Sequence, residues 1–175
     1  ITLLKNIIEA CLHCKVSRLV HCSTAVVVGD IKMNYINELT PCNPSTLYEK
    51  TKLRLEEILL STPFTEIDIG ILRPTVIVGY GGKNLLKLTH SLRYGNKFIN
   101  YLKTFLLGSM PMHIVPVQNV VSALLLLAFS DKKLDGNIFI VSSDQDVNNN
   151  FQKVVEILLN ELGINKVLIP QLILP

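Results

Sequence analysis

The sequence predicts an α/β fold with a largely parallel sheet, and three observations carry that reading. Short apolar runs at 18–22, 67–72 and 138–141 have strand length, and they are separated by longer stretches with helical periodicity. Strands divided by helices of that length lie side by side in parallel. The 175 residues are 49% apolar and 18% charged, which marks a folded chain able to bury a core.

The elements follow in order. Leu3, Leu4, Ile7, Ile8 and Cys11 recur at helical spacing, so 3–14 should be an amphipathic helix. The strand at 18–22 runs into Ser23 and Thr24. Asp30, Asn34, Asn37, Pro41, Asn43 and Pro44 make 29–44 a loop. Thr46 and Glu49 form a capping-box pair opening a helix that runs to about Leu60. The strand at 67–72 is closed by Arg73-Pro74, and Val76–Val78 resumes extended structure before the turn Gly79-Tyr80-Gly81-Gly82. A helix at about 83–94, a short strand at 114–117, a buried helix at 119–129, a strand at 138–141 and a helix at 149–162 complete the chain. Residues 83–117 break the alternation, and an insertion of this kind is expected to cover a ligand.

Composition narrows the function. Seventeen basic and fourteen acidic residues give a net charge of +3, and the basic ones are scattered, so no nucleic-acid footprint is predicted. The longest apolar run, Val120–Phe129, falls short of the roughly 20 residues that span a bilayer. Lys5 and Glu9 interrupt the opening segment, and the first residue, Ile1, suggests a chain that begins inside a longer protein. Cytoplasm is the default compartment. Cys11 and Cys14 have C-x-x-C spacing, but they sit on a predicted helix and no second pair follows. They read as ordinary thiols in a reducing compartment, and no metal is expected.

One helix face carries candidate chemistry. Tyr48, Lys52, Leu55 and Leu59 share a face, with Lys50, Arg54 and Glu57 opposite. A lysine among apolar neighbours is costly unless its charge has a task. Beside a phenol, that task is to favour the ionised form, so that the tyrosine can exchange a proton with an alcohol or ketone. Thr24, just past the carboxyl end of a strand, adds a hydroxyl where open α/β sheets keep their sites.

The order of these pieces is more specific than any one of them. His21-Cys22-Ser23-Thr24-Ala25-Val26-Val27-Val28-Gly29, Asn37-Glu38 with Pro41 and Pro44, Tyr48 with Lys52, Leu72-Arg73-Pro74 and Val76-Ile77-Val78-Gly79 together resemble the extended short-chain dehydrogenase/reductase family, the NAD-dependent epimerases and dehydratases. The segments at 6–11 and 113–123 are similar to the family too, with Asn119 where an aspartate is common. The resemblance implies a Rossmann-like sheet, the second half of a doubly wound fold, with a small substrate-binding insertion. It implies Thr24, Tyr48 and Lys52 as catalytic residues, and Ser23, Tyr48, Lys52, Arg73 and Pro74 as residues on NAD or NADP. Residues 1–82 would form the carboxyl half of the dinucleotide domain, and 83–175 a mixed substrate region with the remaining core elements.

Two departures qualify the resemblance. The family's glycine-rich turn, which cradles the pyrophosphate, is absent, so these residues alone are expected to bind cofactor poorly, to be inactive, and to associate, as a homodimer or otherwise, through the exposed edge of 18–22. Ala25 and Val26 stand where sugar dehydratases carry Asp and Glu, which argues against dehydration. The leading expectation is an epimerase or reductase of a nucleotide sugar. The rivals are a reductase of a hydrophobic ketone, as in hydroxysteroid dehydrogenases or dihydroflavonol-type reductases, and a non-catalytic binding module. Lys83, Asn84, Lys87, Arg93 and Lys103 would serve the first; Phe105, Leu106, Leu107, Met110 and Met112 would serve the second, although core packing explains them equally well. His90 and His113 read as packing or surface residues.

Overall fold

A computed structural model describes residues 1–30, 35–63, 66–83 and 85–164. Asn34 and Asn84 lie outside the described residues. The elements are α1 (Thr2–His13), β1 (Arg18–Cys22), a 3-10 turn (Ala25–Val28), α2 (Leu47–Leu60), β2 (Asp68–Pro74), β3 (Val76–Val78), α3 (Leu86–Tyr94), α4 (Lys97–Leu107), β4 (Ile114–Pro116), α5 (Val117–Phe129), β5 (Ile138–Val141) and α6 (Phe151–Glu161). They divide into two compact units, the first made of 1–75 and 118–141 and the second of 76–117 and the residues from Ser142 on.

The first unit holds a three-stranded parallel sheet in the order β1-β2-β5. Arg18 pairs with Asp68 and Cys22 with Leu72, while Ile71 pairs with Ile138 and Pro74 with Val141. β2 is the central strand and is buried from Ile69 to Pro74, as a parallel strand covered on both faces must be. Leu4 and Ile8 of α1, Leu59 of α2 and Ile67, Ile69 and Ile71 form one core cluster. Cys11 packs against that cluster whereas Cys14 is exposed, so the C-x-x-C pair is divided between core and solvent.

The two sheet edges differ. At β5 the Glu38 carboxylate accepts a hydrogen bond from the Ile140 backbone N–H at 3.0 Å, capping that edge. β1 has one neighbour among the described residues, and a groove of about 450 Å³ lies beside it, lined by Arg18, Val20, Val121, Leu124, Leu125 and Ala128. This groove alters one expectation. α5 was expected to be buried, but only Val120 and Leu127 are; Val121, Leu125, Leu126 and Phe129 are exposed. The helix is apolar on every side, and only one stripe of it meets the sheet.

The second unit pairs β3 with β4 in parallel, Val76 with Ile114 and Val78 with Pro116. Its core joins Leu92 of α3 to Val155 and Leu159 of α6. The helix α4 was not anticipated within the insertion. Its signal was Asn96, whose side chain accepts from the Phe98 and Ile99 backbone N–H groups as an N-cap. Phe98, Ile99, Leu102, Phe105 and Leu106 fall at i, i+1, i+4, i+7 and i+8, so they share one face and carry a second helical signal.

Candidate active site

α2 begins where the sequence places it. Thr46 Oγ1 accepts from the Glu49 N–H at 3.2 Å, and Glu49 Oε2 accepts from the Thr46 N–H at 3.1 Å, completing the capping box. The three hydrogen bonds that the Glu49 carboxylate receives, two from the Ser45 and Thr46 backbone N–H groups and one from the Ser45 hydroxyl, accompany a carboxyl pKa below its ordinary value; backbone N–H donation is the main cause. Starting the helix at Leu47 sets Tyr48 in its first turn, 60% exposed.

One turn further in, Lys52 is half-buried, and its Nζ donates to the Cys22 carbonyl at 2.9 Å. The ammonium is thereby tied to the carboxyl end of β1, two residues before Thr24, and α2 packs on the 3-10 turn that Thr24 opens. Thr24 Oγ1 accepts from the Val26 N–H at 3.5 Å, which leaves the hydroxyl proton for another partner. Gly29 ends this turn with φ +76°, and a Cβ there would overlap the Asn43 carbonyl. The turn and the 35–44 loop therefore close on each other only with glycine at this position.

Another turn along the same face is Glu56, which the sequence reading passed over. It is 1% exposed and grips Arg73, 3% exposed: Arg73 Nε donates to Oε1 at 3.1 Å and to Oε2 at 3.2 Å, and Nη2 donates to Oε2 at 2.6 Å. Burial would lower the arginine pKa, but the hydrogen bonds and charge of Glu56, joined by the Cys42 thiol, raise it. Arg73 thus serves as the anchor between β2 and α2. The signal for Glu56 was available, because it lies four residues beyond Lys52 and must share its face.

Beneath this face His21 is pushed below its ordinary pKa, by burial first and by the Lys52 charge second, with Glu56 opposing. Cys22 is pushed up by burial, against a lowering by Lys52. Ser23 Oγ is buried with no hydrogen-bond partner, as are His21 Nε2 and Arg73 Nη1. Pro74 is fully buried at the end of β2. The structure therefore brings Lys52, Ser23 and the approach to Thr24 together at one end of β1, with Tyr48 on the turn above. Tyr48 and Thr24 are not hydrogen-bonded to each other. Among the described residues no group of three or more His, Cys, Asp or Glu side chains could hold a metal.

In the second unit, Lys83, Lys87, Arg93 and Lys103 are exposed, as are Phe105, Leu106, Leu107 and Met110, while Met112 is half-buried. His113 takes a left-handed backbone, φ 49°, and its Nδ1 lies 3.0 Å from Asp144.

A parallel sheet flanked by helices, with a Y-x-x-x-K helix tied to the end of its edge strand, is the architecture of a Rossmann-like short-chain dehydrogenase/reductase. The chain belongs, more narrowly, to the 3-beta hydroxysteroid dehydrogenase/isomerase family, whose pattern matches residues 3–172. No curated protein sequence matches it significantly. Among solved structures it is similar to RMD from Pseudomonas aeruginosa complexed with NADPH, at TM-score 0.71 and 21% identity, covering 93% of this chain and 57% of that one. UDP-glucuronic acid 4-epimerase from Bacillus cereus in complex with NAD gives 0.66 and 19%, covering 94% and 53%. A dTDP-glucose 4,6-dehydratase from Streptomyces venezuelae with NAD bound gives 0.66 and 19%, covering 93% and 49%. At these identities the likeness establishes the fold. The chain spans about half the length of each of these structures.

Proposed function

We propose that the parent protein is an NAD(P)-dependent oxidoreductase that interconverts a hydroxyl and a ketone, with Thr24, Tyr48 and Lys52 as its catalytic residues. The observation that carries this reading is the 2.9 Å bond from Lys52 Nζ to the Cys22 carbonyl, which ties the Y-x-x-x-K helix to the strand end that bears Thr24. The nicotinamide end of a dinucleotide suits the residues present, because the unpartnered Ser23 Oγ and the exposed Tyr48 phenol offer it polar partners at the carboxyl end of the sheet. The pyrophosphate end finds no glycine-rich cradle here. When bound, NAD or NADP supplies the hydride chemistry. Thr24 orients the reacting oxygen, Tyr48 takes its proton or returns it, and Lys52 offers a positive charge beside the phenol oxygen. Arg73 and Pro74 form the floor of the site, Arg73 through its grip on Glu56.

For the substrate, the family match favours the hydrophobic rival over a nucleotide sugar. Phe105, Leu106, Leu107 and Met110 support it, since they are exposed and core packing does not account for them. Exposed apolar side chains of this kind suit an apolar hydroxy or keto compound better than a charged sugar nucleotide. The nucleotide-sugar reading stays second, supported by the solved structures named above. Nicotinamide absorbance with the full-length parent separates the two: turnover of a hydroxysteroid and not of a UDP-sugar supports the first, and the reverse overturns it. Tyr48→Phe keeps the ring and removes the proton carrier, so turnover should fall on the order of 10²–10⁴-fold. A change of only a few-fold would remove Tyr48 from the mechanism, and absence of any dinucleotide-linked turnover would leave a binding module.

A further inference from the structure

The helix α4 is inside out. Its buried stripe is Asn100, Thr104 and Gly108, one turn apart, with Asn100 5% and Thr104 2% exposed. These polar groups are met. The Asn100 amide donates to the Ser91 carbonyl at 2.6 Å and accepts from the Ser91 hydroxyl at 3.0 Å, and the Thr104 hydroxyl donates to the Asn100 carbonyl at 2.9 Å. The Gln152 N–H donates to the Gly108 carbonyl at 3.0 Å, an approach that a Cβ on Gly108 would crowd. On the other side, Phe98, Ile99, Leu102, Phe105 and Leu106 share one face and are exposed, Phe98 at 71% and Leu106 at 65%. Tertiary packing has taken the polar side of the helix and left the apolar side in water. A contiguous exposed apolar patch of this kind marks a contact surface.

We propose that this face of α4 docks on an anionic lipid bilayer, with its apolar side chains in the headgroup–acyl boundary and the basic residues around it on the headgroups. Charge favours that occupant. Residues 76–117 contain Lys83, Lys87, Arg93, Lys97 and Lys103 and no Asp or Glu. All five basic side chains are exposed, and none forms a salt bridge among the described residues. At roughly 100° per residue, Lys97 and Lys103 fall on the two borders of the apolar face. Lys97 also stands in the first turn, where the helix dipole disfavours a cation, so its charge does not serve the helix itself. A second copy of this chain would bring like charges together. An apolar stripe with aromatic side chains, running the length of a helix between flanking lysines, is instead the pattern of a helix that lies in a membrane interface.

The helix α5 provides an internal standard. It exposes Val121, Leu125, Leu126 and Phe129, yet 117–129 contains no basic residue. If exposed apolar surface alone governed docking, α5 would serve as well as α4. The inference is independent of the substrate reading, which makes no use of Phe98, Ile99 or Leu102, and vesicle binding is measured without turnover.

The test floats the full-length protein with vesicles of phosphatidylcholine, alone or with about a third phosphatidylserine. Binding to the anionic vesicles should be at least about tenfold tighter than to phosphatidylcholine, and it should weaken as salt is raised. Phe98→Ser with Leu102→Ser, and separately Lys97→Gln with Lys103→Gln, should each weaken it by about tenfold or more. Leu126→Ser with Phe129→Ser on α5 should leave it within about twofold. Absence of binding to anionic vesicles overturns the proposal, as does equal binding to the two compositions or an equal loss from the α5 variant. A dimer that Phe98→Ser with Leu102→Ser dissolves, with no vesicle binding, overturns it too and assigns the face to a second copy. If the α4 serine variant is misfolded by circular dichroism, the paired glutamine variant, which alters exposed side chains alone, decides the matter.

Discussion

The two ends of α2 do opposite work on a single face. At its open end, Thr46 and Tyr48 meet solvent; at its closed end, Glu56 and Leu59 are almost fully buried. Lys52 stands between them, half-buried, with its amine on a backbone carbonyl. The difference teaches that a proton carrier needs access while the helix holding it needs an anchor, and that a face two turns long supplies both. Reactivity and stability should therefore separate along the helix.

The largest expected effect breaks the closed end. Glu56→Ala strands the Arg73 guanidinium in the interior and should cost about 3–5 kcal/mol, measured by urea unfolding. A loss below about 1 kcal/mol would mean that water reaches the pair. Replacing both partners by apolar residues, Glu56→Leu with Arg73→Met, should recover most of the loss, since the penalty comes from the unpaired charge.

At the open end, Thr46→Ala removes the capping hydroxyl and should cost about 1 kcal/mol. An effect as large as that of Glu56→Ala would erase the contrast between the ends.

A pH dependence sharpens the comparison from below. His21 lies under the closed end with its pKa depressed in the folded chain, so it stays neutral there while the unfolded chain binds a proton below about pH 6.5. The sign follows: His21 leaves stability unchanged above that pH and lowers it as pH falls toward the folded value. His21→Gln should flatten this limb of the stability profile, and an unchanged slope would show that other groups produce it.

The smallest effects belong to the solvent face. Arg54→Ala breaks an exposed pair with Glu57 and should change stability by no more than about 0.5 kcal/mol. Tyr48→Phe should be as mild in unfolding, because the exposed phenol makes no hydrogen bond among the described residues. A stability loss above about 1 kcal/mol would show Tyr48 to be part of the packing, and its exposure would need another explanation.

Much of this molecule is legible in local spacing. The strands at 18–22 and 138–141, the capping box, and the shared face of Tyr48, Lys52, Leu55 and Leu59 all depend on residues within a few positions of one another. Helical or extended periodicity and a cap are sufficient to set them. α4 is legible too, in its Asn96 cap and in Phe98, Ile99, Leu102, Phe105 and Leu106 at helical spacing, whereas α5 differs from the buried helix expected because an apolar helix does not announce which of its sides finds a neighbour. The tertiary structure alone decided that Glu56 meets Arg73 across 17 residues and that Lys52 reaches the Cys22 carbonyl across 30. Only the packing of α2 on the sheet brings those groups within reach. A buried charge reveals its partner when the chain has folded around both, because in the sequence a carboxylate on an apolar face and an arginine at the end of a strand are separate oddities, and desolvation makes them one pair.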